Sequence, residues 1–516
     1  MLSFVLGLAL LVGGYYIYGA WIERLVEPDD RTTPCQAHPD GVDYVALPHW
    51  KNMLIQLLNI AGIGPVIGVI IGIKFGSIVF LLIPVGNIIA GATHDFLGGM
   101  MSLRHDGANL PRLIRLYLGP VYYWIFAGFM AFLLLLVVAV FINVPASLFN
   151  DMVQGFIAKS ATWQTGSIMP GKSYFWPAVA AVFLYYIAAT LFPVDKIIGR
   201  IYPLFGLMLL LGTAAIFGAI VHTFDLNAGM DLLSQSDGFT KNMWTAGNNH
   251  PIIPLLFVTI ACGIISGFHA TQSPIIARTM TSERQARSSF YGMMVVEGII
   301  AMVWAAAALV IYNMSPELMK ANPNSVLVTI TTRFLGSGWG ALTVIAVIVL
   351  AVTSGDTAMR SLRLSLGEIF HIDQKKSANR ILVCLPLIAI VAVLLWWSNQ
   401  SAKSFQNLWN YFAWANQVLA ASTLMAATVW LIVLKKNGTA ALVPGMFMTF
   451  IVSCYILWIS PDHGGPVGFG FELNTAYWIA GAFTLLTALA VLITGRMKRR
   501  AAEEPCCCTP DGHCNY

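Results

Sequence analysis

The sequence predicts an all-α, polytopic integral membrane protein, and three observations carry that expectation. Of its 516 residues, 57% are hydrophobic and only 10% charged, where water-soluble domains carry roughly 25% charged residues. Apolar stretches of about 18–25 residues, long enough to cross a bilayer as a helix, recur along the whole chain. Lys and Arg concentrate in alternate connections, the bias that orients membrane helices. A soluble chain of this length would divide into about three domains, each needing a charged surface. The charge for those surfaces is missing, and the same composition excludes disorder.

In order, the apolar stretches run over 2–22, 53–73, 76–102, 118–142, 174–193, 201–221, 253–273, 289–312, 338–356, 380–397, 405–434, 439–460 and 475–495, which makes about 13 transmembrane helices. The first ends in small Ala20, as a secretory signal would. No Lys or Arg precedes Arg24, however, and the run is long enough to span, so it is expected to be a helix. Stretch 405–434 is long enough to contain a break. None of the stretches alternates with period two, which sets barrel strands aside.

Placing the C-terminus inside puts loops 23–52, 103–117, 194–200, 274–288, 357–380 and 435–438 inside with the tail. These hold 22 of the 29 Lys and Arg residues, against seven in the opposite loops. The ratio favours an outer N-terminus, a cytoplasmic C-terminus and an odd number of spans. The net charge of +5 is otherwise scattered, and its one dense patch is Arg496, Lys498, Arg499 and Arg500 at the end of the last span. Such charge orients helices and implies no nucleic-acid partner.

Four of the eight cysteines crowd the tail as Cys506, Cys507, Cys508 and Cys514. The rest, Cys35, Cys262, Cys384 and Cys454, are dispersed and make no disulfide framework. With His513 the tail thiols are candidate ligands for zinc or another soft metal. Their spacing fits no zinc-finger pattern, and an unstructured tail in a reducing compartment is the alternative.

Spans two and seven carry glycine clusters in mid-membrane: Gly62, Gly64, Pro65 and Gly68 in one, Gly263, Ser266, Gly267 and His269 in the other. Glycine and proline there weaken a helix and free backbone groups, which are tolerated where they line a cavity or meet a ligand. Gly62, Gly64, Pro65, Gly263, Ser266, Gly267 and His269, with Asn416 and Gln417 of span eleven, are therefore the candidate substrate-binding residues. The two are five spans apart in order, an odd number, so equivalent helices would run in opposite directions, as in a five-plus-five inverted-repeat transporter. Gly64 to Gly68 and Gly263 to Gly267 also have the spacing that lets helices pack closely. Both readings stand at this point.

Ionisable groups within spans usually face a polar cavity, because burying them in lipid is costly. His94 and Asp95 lie in span three, and Asp356 closes span nine beside Thr353 and Ser354. Glu297 lies about eight residues, roughly 12 Å, into span eight. A carboxyl at that depth can relay a proton or pair statically. Asp95 and Asp356, nearer the inner end, are expected to be better hydrated and to receive that proton or pair with Arg104 or Arg360. Asn416 and Gln417 interrupt span eleven with side chains too polar for lipid, and are expected to face inward near Ser266 and His269.

Several strings resemble the carbon starvation protein A family. They are His38-Pro-Asp-Gly-Val-Asp-Tyr44, Ile60-Ala-Gly-Ile-Gly-Pro65, Ala90-Gly-Ala-Thr-His-Asp95-Phe, Ser102-Leu-Arg104-His-Asp106-Gly107-Ala-Asn-Leu110 and Phe257-Val-Thr-Ile-Ala-Cys262-Gly-Ile-Ile-Ser-Gly-Phe-His269-Ala. Asp356 with Arg360, and Ala415-Asn416-Gln417, complete the likeness, which runs with gaps from about 38 to 436. The resemblance implies an inner-membrane permease of carbon starvation, a stress response, taking up peptides or, in one branch, pyruvate with protons. It also implies a fold similar to the LeuT-like inverted repeat. In that fold a coupling cation sits between spans two and nine, where Thr353 and Ser354 supply hydroxyls suited to sodium. The alternative is ordinary hydroxyl bonding to the preceding helical turn.

The chain is shorter than the family's longer members, and Pro193-Val-Asp195-Lys196-Ile-Ile-Gly-Arg200-Ile-Tyr-Pro203 fits a compact version. The expected organisation is a first helix and cytoplasmic loop (1–52), inverted repeat 1 (53–221), inverted repeat 2 (253–434), two additional helices (439–495) and a basic, Cys-rich cytoplasmic tail (496–516). The expected activity is secondary active, ion-coupled symport of peptides or small carboxylates such as pyruvate, driven by H+ or Na+, with no cofactor and no catalytic residue. Beyond substrate and bilayer, a small accessory protein is compatible with the chain, though nothing in the sequence marks one. A channel or an intramembrane enzyme is the alternative, but no filter loop or charge ring is evident, and His-Glu-x-x-His, Gly-x-Ser-Gly and the Walker phosphate loop are absent.

Overall fold

In the computed structural model, residues 2–41, 44–158, 173–191, 195–223, 251–372 and 377–503 are described. Every one of the apolar stretches is helical, and the described residues contain no strand. We label the spans α1 (Leu2–Val26), α2 (His49–Ile60 and Ile63–Phe75), α3 (Val79–Leu103), α4 (Pro120–Ala158), α5 (Phe175–Leu191), α6 (Asp195–Thr223), α7 (Ile252–Ala277) and α8 (Glu283–Met314). They continue as α9 (Pro323–Ile369), α10 (Ser377–Ser398), α11 (Ala402–Val433), α12 (Thr439–Trp458) and α13 (Leu473–Glu503). Among the described residues 11 helices are long and apolar enough to cross a membrane, and the bent pair forming α2 makes 12. The remaining stretch, α5, is helical but shorter at 17 residues.

The helices that depart from regularity meet one another. Span α2 bends by 46° at Ala61 and Gly62. Pro65 falls in the first turn of its second half, where a missing N–H costs nothing because that donor has no intrahelical partner. Span α7 is interrupted at Ile264–Ser266, with Ser266 extended (φ −140°, ψ 123°) before the helix restarts at Gly267. Span α3 widens to a π-turn over Asn87–Gly91, just past Pro84, which supplies no backbone donor. A Cβ at Gly91 would overlap the Ile264 carbonyl, so only glycine lets α3 pass against the break in α7. Span α9 is much longer than its apolar stretch, 47 residues against the expected 338–356, with a kink at Gly336 where φ is +75°, a conformation glycine adopts without steric penalty. Span α11, long enough to hide a break, is one continuous helix.

Contacts between loops sort the ends of the spans into two groups. At one end Arg104 pairs with Glu283, Arg287 with Glu23, Lys436 with Glu27, and Lys435 with Glu503. At the other, Lys74 donates to the Met319 carbonyl and Tyr411 to that of Val467. The first set joins only segments that the charge count groups on one side, and in the second Lys74, Met319 and Val467 belong to connections grouped on the other, with Tyr411 near that end of α11.

Candidate functional site

Four ionisable side chains form one buried cluster where α3, α7 and α8 meet. His94, Asp95 and Glu297 are fully buried and His269 is 2% exposed. The Asp95 carboxylate accepts from His94 Nδ1 at 2.8 Å and from His269 Nδ1 at 3.0 Å. With Nδ1 of His269 committed to Asp95, its Nε2 faces Glu297 Oε2 at 3.8 Å. Neither Glu297 oxygen, nor His94 Nε2, has a hydrogen-bond partner. The sequence marked His94, Asp95 and Glu297 together as ion-coupling candidates. His269, assigned there to substrate, is the side chain that links them.

Two expectations are corrected. Asp95 is not hydrated near the inner end, and its partners are histidines rather than Arg104. Arg104 instead holds Glu283 at 3.0 Å, beyond the ends of the spans. The reason is helical phase. Asp95 turns toward the break in α7, while Arg104 lies beyond the end of α3 and reaches the start of α8. Asp356 is likewise buried, at 6% exposure, rather than hydrated, but it does pair with Arg360, at 3.6 Å one turn along α9. It lies apart from the cluster.

Asn416 and Gln417 are buried and face protein. Asn416 Nδ2 donates to Ser266 Oγ at 2.9 Å, and its Oδ1 accepts the Phe268 N–H at 2.8 Å and Ser266 Oγ at 3.1 Å. Asn416 therefore satisfies the backbone amide freed where α7 restarts. Gln417 Nε2 donates to the Val258 carbonyl at 3.0 Å, above the break, and its Oε1 is unpartnered.

The glycines carry packing contacts. A Cβ on Gly64 would stand 2.8 Å from that of Cys262, and one on Gly263 3.0 Å from that of Ala301. One on Gly267 would press on the α11 backbone at 2.7 Å from the Ala420 nitrogen. Gly62 differs, for its nearest neighbour is Ser354 Oγ at 3.5 Å. That hydroxyl is buried without a partner, whereas Thr353 Oγ1 donates to the Leu350 carbonyl at 2.9 Å in its own helix. Sequence reasoning missed Asn87. From the π-turn its Nδ2 donates to the Met294 carbonyl at 2.9 Å on α8, and the Gly263 carbonyl at the α7 break lies 3.5 Å away. A lone amide in an apolar stretch was the available signal. Among the described residues no group of three or more His, Cys, Asp or Glu side chains is arranged to hold a metal ion, and Cys506, Cys507, Cys508, His513 and Cys514 lie outside those residues.

Two of the strings that carry the family likeness, those ending at Tyr44 and running from Ser102 to Leu110, pack together at the end of the molecule that holds Arg104. Tyr44 donates to the Asp106 carbonyl, and Arg278 donates to the Gly107 carbonyl and to Asn109 Oδ1. Glu283, 1% exposed, receives both Arg104 and Arg31. His105, pushed below its ordinary range by burial, donates from Nδ1 to the Met101 carbonyl at 2.7 Å and accepts the Tyr117 hydroxyl at 2.8 Å.

Fold and site together define a multi-pass helical membrane protein whose two broken spans cross beside a buried proton-titratable cluster. The chain belongs to the carbon starvation protein CstA family, whose profile it matches over residues 1–171, 172–334 and 326–454. An uncharacterized membrane protein of Haemophilus influenzae is 41% identical over 62% of this chain and 94% of its own length. The peptide transporter CstA of Escherichia coli is 28% identical over 63% of this chain, and the pyruvate/proton symporter BtsT of the same organism 26% identical over 60%. The chain spans only about half of each of those two, 53% and 48%. Among solved structures, a manganese transporter of Eremococcus coleocola aligns with a TM-score of 0.49 at 14% identity, covering 89% of this chain and 98% of that one.

Proposed function

We propose that this chain is a secondary active symporter taking up peptides or small carboxylates such as pyruvate, with protons as the coupling ion. The observation that carries this reading is the Glu297–His269–Asp95–His94 series, four titratable groups in sequence at the crossing of the broken span α7 with α3 and α8. An uncompensated charge at such depth is costly, so the cluster's net charge is tied to the number of protons it holds. A proton taken by Glu297 can pass to His269 Nε2 as the Nδ1 proton moves to Asp95. Each protonation state then favours a different packing of α7 against α3 and α8, which is how a proton gradient biases a two-state transporter. The names of the two transporters in Escherichia coli support both cargo classes. The chain spans about half of each of them, and uptake assays with each cargo decide between the two classes.

One observation favours sodium as a second coupling ion. The unpartnered Ser354 hydroxyl faces the α2 break at Gly62, where oxygen ligands suited to a small hard cation would meet. Uptake into proteoliposomes under imposed proton and sodium gradients in turn distinguishes the two. Proton coupling predicts accumulation with a pH gradient alone. Accumulation only with sodium, abolished by Ser354→Ala, transfers the role to that site.

A further inference from the structure

At the end opposite the Arg104–Glu283 pair, the molecule holds a cavity of about 260 Å³. Its wall is formed by the end of α2, the first half of α7, the α8–α9 connection, α11 and the loop after α12. Two lysines line it, Lys74 from α2 and Lys320 from the α8–α9 connection, together with His463. Among the described residues no Asp or Glu lines it, and Glu317 and Asp462 on the adjoining loops are exposed outside it. The Lys74 ammonium is held in place. Its Nζ donates to the Met319 carbonyl at 2.6 Å and stands 5.5 Å from the centre of the Tyr312 ring. An ammonium so fixed loses little freedom on meeting an anion, and a charge-assisted bond to a carboxylate is among the stronger polar contacts available.

The floor of this cavity leads toward the broken helices. Val258 and Ala413 line it, and Gln417, which bonds the carbonyls of both, lies one turn further along α11 with Oε1 unpartnered. The next polar group inward is the Asn416–Ser266 pair at the α7 break. The volume lies just below the roughly 300 Å³ at which ordinary ligand pockets begin, which suits a molecule of a few heavy atoms.

We infer that this cavity is an outer binding site for small carboxylates, in which Lys74 and Lys320 take the carboxylate group before the molecule moves on to the broken helices. The site rests on the transport reading for its purpose and on its own lining for its existence.

The test is equilibrium binding of radiolabelled pyruvate to the full chain purified in detergent, with pyruvamide as the uncharged competitor and glycylglycine as the dipeptide. Pyruvate binds, pyruvamide does not compete, and Lys74→Gln weakens binding about tenfold, the value of one charge-assisted hydrogen bond. Lys74→Arg restores most of it. Lys320 is exposed, so Lys320→Glu leaves the thermal unfolding midpoint unchanged while weakening pyruvate binding, and it decides the matter should Lys74→Gln not fold. Glycylglycine competing as well as pyruvate extends the site to the dipeptide carboxylate, and also supports it. Undiminished binding by Lys320→Glu, equal competition by pyruvamide, or no binding of either carboxylate overturns it. Failure of the transport reading looks different: a wild-type protein that binds pyruvate with this lysine dependence yet accumulates nothing in proteoliposomes under any ion gradient.

Discussion

Asp95 accepts two imidazole N–H groups in a site without exposure to solvent, so its two oxygens have distinct and demanding partners. Asp95→Asn keeps the shape but turns one acceptor into a donor facing a donor. Leaving a buried polar group unmatched costs about 1–3 kcal/mol, and the variant should show a lowered unfolding midpoint in detergent together with transport reduced at least about tenfold. An unchanged midpoint and normal uptake would remove Asp95 from both roles. The sequence made His94, Asp95 and Glu297 legible because ionised groups stand out in apolar runs. It did not reveal that His269 joins them. That link spans 174 residues and depends on which way a side chain leaves a broken helix, a property of tertiary geometry. Asn87 escaped notice for a related reason, since one amide in a long apolar run is indistinguishable in sequence from a group bonded within its own turn.

At the level of elements, lengths and apolar runs located every span, and glycine clusters located both breaks. The purpose of those glycines was not legible, because spacing alone is the same for close packing and for an opened backbone. Gly64, Gly263 and Gly267 sit against neighbouring helices, so Gly64→Leu is expected to disturb packing by about 1–3 kcal/mol and to lower stability along with uptake. Gly62 has room, and Gly62→Ala should leave the unfolding midpoint within error while changing transport by stiffening the break. The opposite pattern, Gly64→Leu stable and inactive with Gly62→Ala unaffected, would restore Gly64 as a substrate residue. The kink at Gly336 and the full reach of α9 were also illegible, because polar turns extend the helix beyond the apolar stretch on both sides. His105 supplies a pH dependence for the short helix Leu110–Leu118 that follows α3. A histidine held below its ordinary range favours the folded state where it is neutral, and that contribution is lost as pH falls through about 6.5. Hydrogen exchange over residues 104–118, corrected for intrinsic rates, should show protection falling between pH about 7 and 5, and His105→Gln should flatten that fall. Protection independent of pH in the native chain would contradict the neutral bridge between Met101 and Tyr117.

For the whole molecule, the Arg104–Glu283 pair ties the loops together at one end and a cavity opens at the other, and on the transport reading this asymmetry is the inward-closed state of an alternating cycle. Removing one partner of a buried pair costs about 3–5 kcal/mol, so Arg104→Gln should destabilise this closed state selectively. A cysteine placed at Ala108, 4% exposed behind the closure, should react faster with a membrane-impermeant maleimide applied to the inner face in the Arg104→Gln background. An unchanged rate would make the pair a static anchor. Charge patterning had assigned the loops to two sides, and the ion pairs now join loops of one side only, which no count of residues could have established.

The most direct test of proton coupling through the buried cluster is pyruvate and dipeptide accumulation in proteoliposomes driven by an imposed pH gradient, comparing the native chain with Glu297→Gln. The native chain should concentrate one or both cargoes only while the gradient lasts, and an uncoupler should abolish it. Glu297→Gln, folded and still able to bind and exchange substrate, should equilibrate it without concentrating it. A Glu297→Gln protein that concentrates substrate with the native dependence on the pH gradient would contradict the account.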